Sequence, residues 1–162
     1  MAEGNVTAGQ RNQLSPYDVI RTNKGYMKIN GIELAELKEV KVSITPNTKN
    51  LPLMNSATDG EVTMSYKCKI AFKLNKTYSR FKPAILEAAK NLQNFVFDFE
   101  GTNYTPNGKQ EESIYISDCW INGEVTLLQM AAENNFSEES YEAGFLIENS
   151  DFTNVIEDGN NW

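Results

Sequence analysis

The sequence predicts a mostly antiparallel β domain with one α-helix, and three observations carry that prediction. Short runs alternate apolar and polar residues, most clearly Val62, Met64, Tyr66, Cys68, Ile70, Phe72 and Leu74 against Thr63, Ser65, Lys67, Lys69, Ala71 and Lys73. That is the period of a strand with one buried face. Asn-Gly pairs at Asn30-Gly31, Asn107-Gly108 and Asn122-Gly123 punctuate the runs and favour tight hairpin turns. One stretch, from Phe81 to Leu92, instead repeats apolar residues at helical spacing.

Residues 1–24 are polar and mixed, with Gln10, Asn12, Gln13, Ser15 and Pro16 and few apolar anchors, and read as an arm preceding the domain. From Gly25 a hairpin is expected to join Tyr26–Ile29 to a strand over Ile32–Ile44, with Val40, Val42 and Ile44 on one face. Residues 45–60 contain Pro46, Pro52 and Asp59-Gly60 and read as a long connection, which is usually functional or disordered. Its Leu51-Pro52-Leu53-Met54 cluster would leave an apolar patch in water on a monomer. Either a neighbouring copy buries that patch or it folds back over its own sheet. The expected interface residues are Asn47, Lys49, Leu51, Pro52, Leu53, Met54 and Asn55.

The strand from Glu61 to Asn75 would reach roughly 50 Å at about 3.3 Å per residue. One end must therefore project beyond the core or turn a corner between sheets. A helix is expected over 79–92, where Phe81, Ala84, Ile85, Ala88, Ala89 and Leu92 form an apolar stripe, Ser79 can cap it and Pro83 falls in the first turn. Four strands are expected after it, at Asn94–Glu100, Ser113–Ile121, Glu124–Glu133 and Ser140–Glu148, and residues 159–162 form a short tail.

Composition narrows the function. The chain of 162 residues, 40% apolar and 23% charged, predicts a single soluble globular domain. It has no apolar run near the roughly 20 residues of a membrane span. The amino terminus lacks a basic and an apolar region of the secretory kind, so a cytoplasmic site of synthesis and residence is expected. Cys68 and Cys119 lie within alternating apolar runs and read as packed thiols, not as a bridge.

Histidine is absent, which removes Ser-His-Asp and Cys-His devices and histidine-rich zinc sites. The carboxylate pairs Glu111-Glu112, Glu138-Glu139 and Glu157-Asp158 have polar neighbours, not the apolar pocket that would raise one pKa for acid catalysis. Neither catalysis, a cofactor nor a bound metal is expected.

Charge is distributed unevenly. All fifteen Lys and Arg residues lie at or before Lys109, where ten acids leave +5, whereas residues 110–162 carry twelve acids and no base. If the two sets occupy different surfaces, copies can meet head to tail with opposite potentials facing. The other reading is that the charges interleave over one solvated surface.

At the carboxyl end, the strand Ser113–Asp118, the turn Asn122-Gly123, and the run from Glu138-Glu139 through Phe145-Leu146-Ile147-Glu148 to Asp151-Phe152 and Ile156-Glu157-Asp158 resemble the tail tube proteins of contractile phages. The likeness extends to the hairpin at Gly25–Lys41, the long polar loop and the single helix, and covers residues 25–158. More narrowly, the chain resembles the tube subunits of Gram-positive myophages, defective prophage particles and phage-tail-like bacteriocins.

The resemblance implies an antiparallel β-sandwich or curved β-barrel with one flanking helix, assembling as hexameric rings that stack into a tube. The implied partners are further copies of the chain, a tail sheath, a baseplate and a tail terminator. DNA would pass without specific binding, or a bacteriocin tube would dissipate the membrane potential. The expected location is a virion tail or tail-like particle assembled in the bacterial cytoplasm. An unpaired basic lining would hold DNA, so Lys67, Lys69 and Lys73 are expected to pair with carboxylates across a strand or subunit interface. The alternatives are a tube protein of a type VI-like or extracellular injection system and, from another class, a monomeric β-barrel binding a small ligand or glycan on Trp120, Tyr115 or Tyr141.

Overall fold

The computed structural model describes residues 19–106, 108, 110–133 and 135–156. Residues 1–18 of the expected arm, Asn107 of one Asn-Gly pair, Glu157-Asp158 and the tail 159–162 lie outside the described residues.

Eight strands form one antiparallel sheet: β1 (Gly25–Ile29), β2 (Ile32–Glu33), β3 (Leu37–Leu51), β4 (Gly60–Asn75), β5 (Val96–Tyr104), β6 (Glu111–Ile121), β7 (Glu138–Gly144) and β8 (Ser150–Asn154), with helix α1 (Lys82–Lys90) between β4 and β5. Their order is β2-β1-β5-β6-β7-β4-β3, with β8 also paired to β6. The sheet curls until β1 near one end approaches β3 at the other, enclosing Met27, Ile70, Phe72, Phe99, Ile116 and Cys119, the largest fully buried side chains.

The first hairpin turns at Asn30 and Gly31, whose φ angles of 51° and 81° are the left-handed pair a two-residue turn needs. Its second strand is shorter than the alternation predicts. Leu34 is drawn into the core and donates its amide to the Met27 carbonyl at 3.0 Å, so pairing stops at Glu33 and resumes at Leu37. Asn122-Gly123 makes no such turn, since neither residue has positive φ.

The expected connection over 45–60 is mostly strand. The β3–β4 ladder continues from Leu37↔Leu74 to Leu51↔Gly60, leaving residues 52–59 as the tip. Composition misleads here because a ladder in water needs backbone partners but no apolar face. Pro46 is tolerated because β3 is an edge strand.

Helix α1 also differs from expectation. It starts after Phe81, with no side-chain cap from Ser79, and Pro83 occupies its first turn. Phe81 and Ile85 pack against the core, Phe81 lying 6.0 Å edge-on to Tyr141 and 6.3 Å from Phe95. Leu92, expected in the buried stripe, lies past the helix end with φ 54° and is 95% exposed.

Two later strands are displaced. Residues 124–133, expected as a strand, have no regular structure. The strand expected to reach Glu148 ends at Gly144, because Phe145 turns into the core. After a turn of 3-10 helix at Ile147–Asn149 the chain pairs again as β8, with Ser113↔Asn154 and Ile116↔Ser150.

Candidate assembly surface

Strands β3 and β4 outrun the core they help to build. Ile70, Phe72 and Leu74 are buried on β4, whereas Val62, Met64 and Tyr66, on the same alternating run, are 43%, 64% and 50% exposed. The stretch Gly60–Lys67 therefore projects by about 25 Å as half of a hairpin arm. A bulge between Asn47 and Thr48 interrupts the arm's register, adding local twist.

The tip orders itself through short polar contacts. The Asn50 amide donates to Asp59 Oδ2 at 3.2 Å, and Ser56 Oγ donates to the Thr58 carbonyl at 2.8 Å. Asn55 takes the left-handed φ of 64° that the turn requires, a conformation Asn tolerates. All seven expected interface residues are exposed on this arm: Asn47 and Lys49 within β3, Leu51 at its end, and Pro52, Leu53, Met54 and Asn55 at the tip. Asn47 donates to Ser65 Oγ at 3.4 Å across the ladder. Leu51 and Leu53 are nearly half exposed and Met54 is 92% exposed, so the patch does not fold back over its own sheet. The exposed Ile44, Val62, Met64 and Tyr66 extend it. These four look like core positions by alternation, and only the length of the strand signals otherwise.

The two outward walls of the curled sheet differ in charge. Strand register sets Asp151, Tyr115, Glu100, Lys28 and Glu33 in one row across β8, β6, β5, β1 and β2, with Asp98 beside it in a groove with Lys28 and Tyr115. Partial desolvation, and then the carboxylates of Asp98, Asp118 and Glu100, push the Tyr115 hydroxyl above its usual pKa. The wall of β3, β4 and β7 places Lys41, Ser43, Lys67, Lys69 and Lys73, together with Glu39, Glu138 and Glu142, on the face opposite the inward Val40, Val42, Ile70 and Phe72.

Part of the lysine charge is neutralised within the chain. Lys69 lies 3.0 Å from Glu142 and Lys73 lies 3.9 Å from Glu39, and Lys38 pairs with Glu138. Lys67 makes no ion pair among the described residues. Pairs linking the basic and acidic parts of the sequence therefore sit inside one subunit, and the two parts interleave along β4 and β7. The walls, not the sequence halves, carry the contrast.

The titratable groups in the core are structural in their geometry. Burial pushes the Cys119 thiol up to about 12, which keeps it protonated and unreactive at neutral pH. Cys68 is also free. Burial and then the hydrogen bond to Glu139 raise Tyr141. No group of three or more His, Cys, Asp or Glu among the described residues is arranged to hold a metal, and no described helix is long and apolar enough to cross a membrane.

Residues 12–152 match the family model of the phage tail tube protein. No curated protein sequence matches significantly. Solved structures do. A chain of the sheath–tube complex of an extracellular contractile injection system, PVC, in its extended state superposes with a TM-score of 0.63 at 9% identity, covering 92% of this chain and 99% of that one. A chain of the anti-feeding prophage tube-terminating cap gives 0.64 at 9% identity, covering 92% and 100%. A chain of the PVC sheath/tube terminator gives 0.60 at 9% identity, covering 83% and 96%. At such identity the likeness establishes a shared fold.

Proposed function

The chain belongs to the phage tail tube protein family, and on that premise we propose that it is the structural subunit of the inner tube of a contractile tail or tail-like particle. Copies form hexameric rings that stack head to tail, and the hairpin arm reaches from one copy to the next. A sheath surrounds the tube, a baseplate starts it and a terminator ends it. The role is structural: the tube is assembled in the bacterial cytoplasm and conducts DNA, or in a DNA-free particle dissipates the membrane potential.

The observation that carries this reading is the arm, whose Leu51, Leu53, Met54, Val62, Met64 and Tyr66 are exposed on a ladder stabilised by its own backbone. An apolar patch of that kind on a monomer marks an interaction site, and a heterologous contact with another copy closes into rings or continues as a filament. The likeness to PVC and anti-feeding prophage chains favours one second reading, the tube of an extracellular injection system, which differs in cargo and not in architecture. A ligand-binding barrel has less support, because Tyr141 is buried and Phe72 stacks on it at 5.1 Å.

The test is the double variant Leu53→Glu with Met54→Glu. These side chains are exposed in the subunit, so its folding stability should stay within about 0.5 kcal/mol of wild type while ring stacking is lost in electron micrographs. Unchanged stacking would remove the arm tip from the interface.

A further inference from the structure

The Asn122-Gly123 pair leaves β6 without forming a hairpin turn. Pairing of β6 with β7 ends at Ile121↔Ala143, and one further bond, from the Asn122 amide to the Glu142 carbonyl at 3.1 Å, holds the start of the pair. Beyond it the Gly123 N–H makes no backbone hydrogen bond among the described residues, and Asn122 is exposed.

Missing Cβ atoms let two side chains close on this main chain. A Cβ on Gly123 would stand 2.8 Å from Glu142 Cβ and 3.2 Å from Glu142 Oε2, so glycine admits the carboxylate against the backbone here. Glu142 Oε1 faces Lys69 Nζ at 3.0 Å, which leaves Oε2 for the glycine. The Asn122 carboxamide lies over Gly144, its Nδ2 only 2.9 Å from the place a Cβ would take.

Asn30-Gly31 provides the contrast within the same chain. Its φ angles of 51° and 81° belong to a closed two-residue turn. The Asn30 amide donates to the Asp98 carbonyl, and Asn30 Oδ1 accepts from the Asp98 amide, each at 2.9 Å. Main chain and carboxamide are both pinned there, whereas at Asn122-Gly123 the glycine nitrogen is free and a carboxylate lies against it.

We propose that Asn122-Gly123 is a self-modification site, at which the Gly123 nitrogen attacks the Asn122 side-chain carbonyl and Glu142 takes up the proton. The new N–Cγ bond closes a five-membered succinimide, and the carboxamide C–N bond breaks to release ammonia. Water then opens the ring at either carbonyl. One opening leaves aspartate, and opening at the main-chain carbonyl leaves isoaspartate, which lengthens the backbone by one methylene. Glycine suits the step because no side chain shields its nitrogen, and Glu142 is placed as its general base. The product sets a new negative charge near Glu142 and Glu124, where it competes with Glu142 for Lys69.

The test holds full-length protein in mildly alkaline buffer and then digests it at acidic pH with a glutamate-specific protease. Cleavage after Glu112 and Glu124 releases residues 113–124, in which Asn122 is the sole asparagine. That peptide should gain the mass of one deamidation over time, with isoaspartate detected by enzymatic methyl labelling, while Asn30 stays intact. Glu142→Gln alters a half-exposed side chain, so the variant should fold normally and convert at least about tenfold more slowly. Asn122→Gln, which cannot close the five-membered ring, should stay unmodified. An Asn122 that outlasts Asn30, or a rate unchanged in Glu142→Gln, would overturn the proposal.

Discussion

Lys82, Glu139 and Tyr141 tie three parts of the molecule together at one buried point. Lys82 from α1 approaches Glu139 Oε1 of β7 at 2.5 Å, Tyr141 donates its hydroxyl to Glu139 Oε2 at 2.9 Å, and the Leu127 carbonyl completes the ammonium's contacts. Oε1 has no hydrogen-bond partner among the described residues, so its contact with Lys82 is an ion pair lacking hydrogen-bond geometry. Lys82→Met would strand a buried carboxylate and should cost about 3–5 kcal/mol in denaturant unfolding. A cost below about 1 kcal/mol would mean that water reaches the pair.

Glu36 is held differently. Burial acts to raise its pKa, but the Arg80 hydrogen bond and charge outweigh it and keep the carboxyl below its ordinary value. Its stabilisation is present at neutral pH and is lost as the pH falls through that lowered value. Cys119 acts at the other end of the scale. Its folded pKa, raised from 9.0 to about 12, favours folding fully below the unfolded thiol's pKa, and that contribution is lost as pH rises from there towards the folded value. Cys119→Ala should therefore flatten the alkaline fall in stability, seen in denaturant melts across that window; an unchanged slope would assign the fall to Tyr141 or another group. Sequence alone could place Cys119 in an apolar run, but Glu139 looked like one more solvated acid beside Glu138. Its partner lies 57 positions away in the chain, and no local pattern links them.

Among the elements, α1 ends in a motif that its sequence does not advertise. Gln93 donates to the Ala88 carbonyl at 2.9 Å and Leu92 to Ala89 at 3.1 Å, the paired bonds of a Schellman cap, with Leu92 in the left-handed position that Gly usually fills. Leu92→Gly should stabilise the subunit by about 1 kcal/mol by relieving that strain; a lower melting temperature would mean that the exposed leucine packs in solution. The helix itself and the 61–75 strand were legible because their periods persist over many residues. Boundaries failed where one side chain overrode the period: Leu34 cut the second strand short and Phe145 ended the seventh. The arm's first strand was illegible beyond Ile44, because Thr45, Asn47, Thr48 and Asn50 pair through backbone in water and leave no apolar alternation to read. Residues 124–131 have the opposite problem, a strand pattern with no ladder partner among the described residues.

At the scale of the whole molecule, the expectation of a charge-divided chain is recast. Lys38–Glu138, Lys69–Glu142 and Lys82–Glu139 join the basic and acidic parts of the sequence inside one subunit, leaving an acidic wall on β1, β5, β6 and β8 and a lysine-bearing wall on β3 and β4. Charge of this kind governs encounter more than final affinity. Raising ionic strength from about 0.1 M to about 1 M, which shortens the screening length from about 10 Å to about 3 Å, should slow tube growth in light scattering more than it reduces the final tube mass. An unaffected rate would remove the walls from the assembly path.

The central claim, that exposed arms join copies of this chain into a tube, is tested most directly by negative-stain electron microscopy of the purified full-length protein over a range of concentrations. The account predicts rings at low concentration and hollow stacked tubes as it rises. A monomer that persists at every concentration, with its arm exposed and unpartnered, would contradict it.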